Sequence, residues 1–103
     1  MKPSTGYSII SLIFAAVTFS ATARDIGQDE ALRLRQQGEI MSFENVLKGV
    51  MERYPGARLL GAELEEDDDD YIYEIELVTR ERVVRELEVD ARTGNILEDE
   101  EDN

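Results

Sequence analysis

Between Tyr71 and Asp90 the chain twice alternates apolar and acidic residues with a period of two. Tyr71, Tyr73, Ile75 and Leu77 share one parity, with Glu74 and Glu76 on the other. After Thr79-Arg80-Glu81-Arg82, the residues Val83, Leu87 and Val89 share one parity, with Glu86 and Glu88 on the other. Successive side chains of a strand point to opposite faces, so each segment predicts a strand with one dry and one wet face. One-sided burial of this kind belongs to antiparallel sheets joined by hairpins. Residues 58–65 repeat the pattern with Leu60, Ala62 and Leu64, and Ile96-Leu97 resume it near the end. Three to four antiparallel strands are predicted.

The dry face needs a cover, and residues 42–54 supply one. Phe43, Val46, Leu47, Val50, Met51 and Tyr54 recur at helical spacing and form one apolar stripe. Ser42 is placed to cap the helix and Glu44 to favour its first turn. Met41 is placed to staple onto Val46 across the cap. Pro55-Gly56 stops the helix, and Gly49 inside it suggests a close approach to the sheet. The predicted fold is α+β, one main amphipathic helix on a three- to four-stranded antiparallel sheet.

Residues 1–23 read as a signal peptide. Lys2 precedes an apolar run over residues 9–19, and Ala21-Thr22-Ala23 fits a small-x-small cleavage site. The run is too short to span a bilayer. Cleavage removes only one charged residue, Lys2, so the net charge passes from −13 to −14. Residues 24–39 read as a polar lead-in with a short helix capped by Asp29 and ended by Gly38. The remaining chain of about 80 residues supports one domain with a small core. It has no cysteine and hence no disulfide. Residues 99–103 read as an acidic, self-repelling, disordered tail.

Four stretches carry a resemblance to a known family. They are Ile40-Met41-Ser42 before the helix, Tyr54-Pro55-Gly56-Ala57 after it, Tyr73-Glu74-Ile75-Glu76-Leu77, and the closing Val89-Asp90-Ala91-Arg92-Thr93-Gly94-Asn95-Ile96-Leu97. Together, over residues 40–98, the chain resembles the PepSY domain, the peptidase-propeptide and YpeB-like domain. The closing stretch is the most specific. Thr79-Arg80-Glu81-Arg82 departs from the Asp/Asn-Gly turn of many relatives. The resemblance implies a periplasmic or secreted binding and regulatory module without catalytic residues. It also implies a protein partner in the cell envelope, of the peptidase or sensor class.

The residues agree with a non-catalytic reading. After residue 23 the chain has no His or Cys, and its only Ser is Ser42, so no Ser–His or Cys–His pair can be assembled. Nothing in the sequence isolates a pair of carboxylates for acid–base work. The net charge of −13 argues against nucleic acid as a partner and against anionic membranes. No membrane insertion is expected after cleavage. Glu74, Glu76, Glu86 and Glu88, on the wet strand face, are the candidate partner-binding residues. The alternative function is a Ca²⁺ sensor or buffer using Glu65, Glu66, Asp67, Asp68, Asp69 and Asp70, placed in the first hairpin loop. An EF-hand is rejected, because Asp70 stands where that loop requires Gly. No cofactor is expected beyond weakly held Ca²⁺. Without His, any pH response is expected in the acid range.

Overall fold

The computed structural model describes residues 23–102. The expected signal peptide lies outside the described residues, apart from Ala23. The elements run β1 (Arg24–Asp25), α1 (Gln28–Gln36), α2 (Phe43–Arg53), β2 (Arg58–Asp67), β3 (Asp70–Val78), β4 (Val84–Asp90) and β5 (Ile96–Glu101). The strands form one antiparallel sheet in the order β1-β2-β3-β4-β5. This is the expected α+β architecture, with five strands instead of three to four. The additions are the two-residue β1 and a β5 that continues well past Leu97.

β5 also corrects the expectation of a disordered tail over residues 99–103 as far as Asp102; Asn103 lies outside the described residues. The strand runs to Glu101, and the Asp102 N–H donates to the Val84 carbonyl at 2.9 Å. The reason is Asp99, whose side chain is only 9% exposed and faces cations. Its carboxylate accepts from Arg85 Nε at 2.6 Å and from the Tyr54 hydroxyl, and it pairs with Arg53 Nε at 3.2 Å. Charge-assisted bonds of this kind are about twice as strong as neutral ones and hold the acidic strand in place.

In α2, the Ser42 hydroxyl accepts from the Asn45 N–H at 3.3 Å, as a capping residue should. Val46 and Val50 are buried, while Phe43 and Tyr54 pack at the margin of the core. α1 differs from expectation at its start. It begins at Gln28 behind Gly27, which offers no side-chain cap, and Asp29 lies within the first turn. Leu34 anchors α1 in the core. Arg24 bridges Glu30 at 3.0 Å and Glu66 at 2.6 Å, tying the lead-in to β2.

Gly49 does not approach the sheet. It is exposed, and a Cβ built there meets nothing within 4 Å. The residue therefore only weakens the helix, and Gly49→Ala is expected to add about 0.5–1 kcal/mol of stability. A denaturant midpoint shifted upward with an unchanged slope checks this.

The core is one cluster built from both helices and the dry face, with Ile75, Leu77, Leu87, Val50 and Val89 its largest fully buried side chains. Tyr73 packs its ring 5.5 Å from Phe43 and donates its hydroxyl to the Met41 carbonyl at 3.1 Å. It is a packing residue, whereas half-buried Tyr71 lies 5.1 Å beneath the Arg92 guanidinium.

The closing stretch joins the two layers. Ala91 is fully buried. Its N–H donates to the Tyr71 carbonyl at 2.8 Å, and its own carbonyl accepts from the Met41 N–H at 2.7 Å. One short residue thus links β3, the β4–β5 turn and the start of α2. Gly94 takes a φ of 81°, and its N–H closes the turn on the Asp90 carbonyl at 2.7 Å. A Cβ there would sit 3.3 Å from Met41 Sδ. The position favours glycine both for its dihedral and for its neighbour. In the β3–β4 hairpin, Arg82 occupies the left-handed position at φ 71°, and the Thr79 hydroxyl accepts from the Val83 N–H at 3.1 Å. The turn therefore closes without glycine.

Candidate functional site: an acidic outer sheet face

The wet face is defined by its register. Glu63 pairs with Glu74, Glu74 with Glu88, and Glu88 with Glu98, which makes one row across four strands. Beside it, Gly61 pairs with Glu76, Glu76 with Glu86, and Glu86 with Glu100. Neither row contains a basic residue. The four candidate residues Glu74, Glu76, Glu86 and Glu88 thus form two directly opposed pairs at the centre of this face. Like charges directly opposite one another destabilise a sheet. The seven glutamates in two rows therefore weaken the sheet that carries them.

Three of these glutamates were not singled out from the sequence. Glu63 shares the wet parity of β2, where no second acidic alternation like that of β3 and β4 marks it. Glu98 and Glu100 lie on β5, where acidic density hid the strand. Together the rows line a shallow groove of about 410 Å³, open where Gly61 leaves the second row without a side chain.

The crowding is visible in proton affinity. Partial burial, the neighbouring Glu74 and then Asp25 and Glu63 push the Glu65 carboxyl up to about 7. Glu88 is raised chiefly by burial and then by Glu74. Glu76 is raised by its hydrogen bond with Asp102, and Glu98 by the charge on Glu88. The clustered carboxylates are thus raised above their ordinary values, Glu65 to about 7.

The first hairpin is not a carboxylate loop. β2 and β3 extend to Asp67 and Asp70, leaving a two-residue turn at Asp68 and Asp69, with φ of 51° and 70°. Both positive values mark the tight hairpin turn that matches strand twist. The six candidate cation ligands are consequently dispersed. Glu66 is held by Arg24, and Asp70 lies 3.5 Å from Arg92 Nη1. Asp67 ends β2, Asp68 and Asp69 form the turn, and only Glu65 joins a tight carboxylate group. That group comprises Asp25, Glu63 and Glu65, with oxygens within 4.8 Å of one another. A second group of the same tightness comprises Glu76, Glu86 and Asp102.

Ser42 is occupied as a helix cap and Lys48 is exposed. The outer face offers charge and shape for recognition, and no nucleophile–base pair lies on it. No helix among the described residues is long and apolar enough to cross a membrane. No curated protein and no solved structure matches the chain. The family model for the peptidase propeptide and YPEB domain, PepSY, matches residues 40–100, which run from just before α2 through most of β5. PepSY domains are generally non-catalytic propeptide or regulatory modules, and with more than half its length matched the chain belongs to the PepSY family.

Proposed function

We propose that the protein is a non-catalytic, exported regulatory module that docks its acidic outer face on a basic surface of another envelope or secreted protein. The partner class is a peptidase or sensor protein, in keeping with the family's propeptide-like character. The observation that carries the reading is the pair of glutamate rows across β2 to β5. They sacrifice sheet stability to concentrate one sign of charge on one face, and such a field accelerates and orients encounter with a cationic partner. The helix layer covers the other face, so the glutamate side is the broad sheet surface left for docking.

The test uses the chain and a Glu74→Lys/Glu88→Lys variant as baits in an envelope extract, with calcium and with chelator. The expected result is a specific partner held by the wild type in both conditions and lost by the variant. Equal retention by both baits would refute the docking face. The calcium-buffer alternative draws on the two tight carboxylate groups. A melting temperature raised by millimolar calcium, with no protein partner retained, would favour it instead.

A further inference from the structure

We infer that the outer edge of β2, over residues 59–63, accepts an extended segment of the partner protein, in which apolar and basic side chains alternate. This rests on the docking role proposed above and specifies how the partner is engaged.

The edge is built but only partly used. β2 is ten residues long, whereas β1 pairs only with Glu65 and Glu66. The Ile26 N–H then donates to the Leu64 carbonyl at 2.8 Å, and the chain leaves the sheet to start α1. Among the described residues, no strand pairs with the outer side of residues 59–63. Since the Leu64 carbonyl points to this edge, strand alternation turns the Ala62 N–H and carbonyl the same way. These groups are free to pair with an added strand, the geometry of β-augmentation.

The surroundings state what that strand must look like. Among the described residues, two of the four exposed large apolar residues lie on this edge: Leu59 at 38% and Leu60 at 48% exposure. A bulge between Leu59 and Gly61 presents the two leucines consecutively. Ala31 of α1, Ala62, Ile26 and Leu64 line a pocket at this edge, whose rim also includes Gln28, Asp25 and Glu63. At the same edge stand the clustered carboxylates of Asp25, Glu63 and Glu65. An added strand therefore meets apolar surface on its helix-side parity and negative charge on its outer parity. The far edge of the sheet is unlike this one. β5 carries Glu98, Asp99, Glu100 and Glu101 in succession, a charged edge of the kind that deters strand pairing.

A second copy of the chain is a poor occupant. Pairing two β2 edges would set the Asp25, Glu63 and Glu65 clusters of two chains of net charge −13 against each other. A basic, alternating segment matches both parities at once.

The probe is a fluorescent nonapeptide alternating lysine and valine, titrated into the full chain by anisotropy. It is compared with a glutamate–valine counterpart and with a lysine–valine peptide N-methylated on alternate residues. The lysine peptide is expected to bind and to shift the backbone amide resonances of residues 59–63. The glutamate and N-methylated peptides are expected to bind at least tenfold more weakly. Ala62→Pro removes an outward N–H that serves no ladder bond to β3, so it is expected to retain the fold by circular dichroism and to weaken binding tenfold. Three results would overturn the inference. They are equal binding of the N-methylated peptide, amide shifts confined to β3 and β4, or a chain dimer abolished by Ala62→Pro. The first two leave docking through the acidic face intact, so the failure of the edge and of the face are told apart.

Discussion

Asp99→Ala is expected to cost about 2–3 kcal/mol of folding stability, a large share of what a domain of this size has. The Asp99 carboxylate is nearly buried and is shared by Tyr54, Arg85 and Arg53, which come from the end of α2 and from β4. Arg85 also lies 5.7 Å over the Tyr54 ring. Removing the acid leaves a part-buried guanidinium and a hydroxyl without their acceptor, and the penalty for such orphaned groups exceeds the net value of the bonds. The figure is held below the usual range for buried pairs because Arg53 is half exposed and water relieves it. Tyr54→Phe, which removes one donor and keeps the ring, is expected to cost about 1 kcal/mol. Neighbouring Glu101→Ala is expected to stay within about 0.5 kcal/mol. Urea denaturation of the three variants checks the order, and equal effects at Asp99 and Glu101 would remove the anchor from the account.

The second large effect is an inverted response to pH. The protein is expected to be more stable at pH 5 than at pH 8. Burial and like charge raise the folded-state values of Glu65, Glu76, Glu88 and Glu98 above those of free carboxylates. Where the folded value is higher, the native state binds more protons than the unfolded chain. Stability is then gained as pH falls from above about 7, the value for Glu65, toward the ordinary carboxylate range. Asp99 acts in the opposite sense. Tyr54, Arg85 and Arg53 hold its carboxyl below the usual range despite partial burial. Its contribution is present above its unfolded value and is lost as pH falls through the lowered one. A stability maximum between pH 4 and pH 6 is therefore expected, and melting curves across pH 3–9 locate it. At pH 8, added salt is expected to raise the melting temperature by screening the two rows. A maximum at neutral or alkaline pH would show that the glutamates are not crowded as described.

The alternation in β3 and β4 made the sheet legible, because a period of two with glutamates on one parity has few alternative packings. The Ser42 cap, the stripe through Val46 and Val50 and the turn at Gly94 were equally plain, since each rests on local chemistry. What escaped was non-local. Asp99 is indistinguishable in sequence from Glu98 and Glu100, and only its position opposite Leu87, on the dry parity of β5, gives it Arg85 as a partner. The six acids from Glu65 to Asp70 read as a loop because charge density outweighed the pairing of Glu66 with Tyr71 and Asp67 with Asp70. Glu74, Glu76, Glu86 and Glu88 were legible as one face. That Glu63 and Glu98 extend the first row to both sides depends on register, which a single strand does not carry.

Carboxyl footprinting by mass spectrometry tests the docking face most directly. A captured partner is added to the chain, and carbodiimide labelling is read residue by residue. The account predicts that labelling of Glu74, Glu76, Glu86 and Glu88 falls at least severalfold on binding, while Glu44 and Glu52 on the helix layer keep theirs. Unchanged labelling of the four strand glutamates, with protection of Glu44 and Glu52, would contradict it and move the interface to the opposite side of the domain.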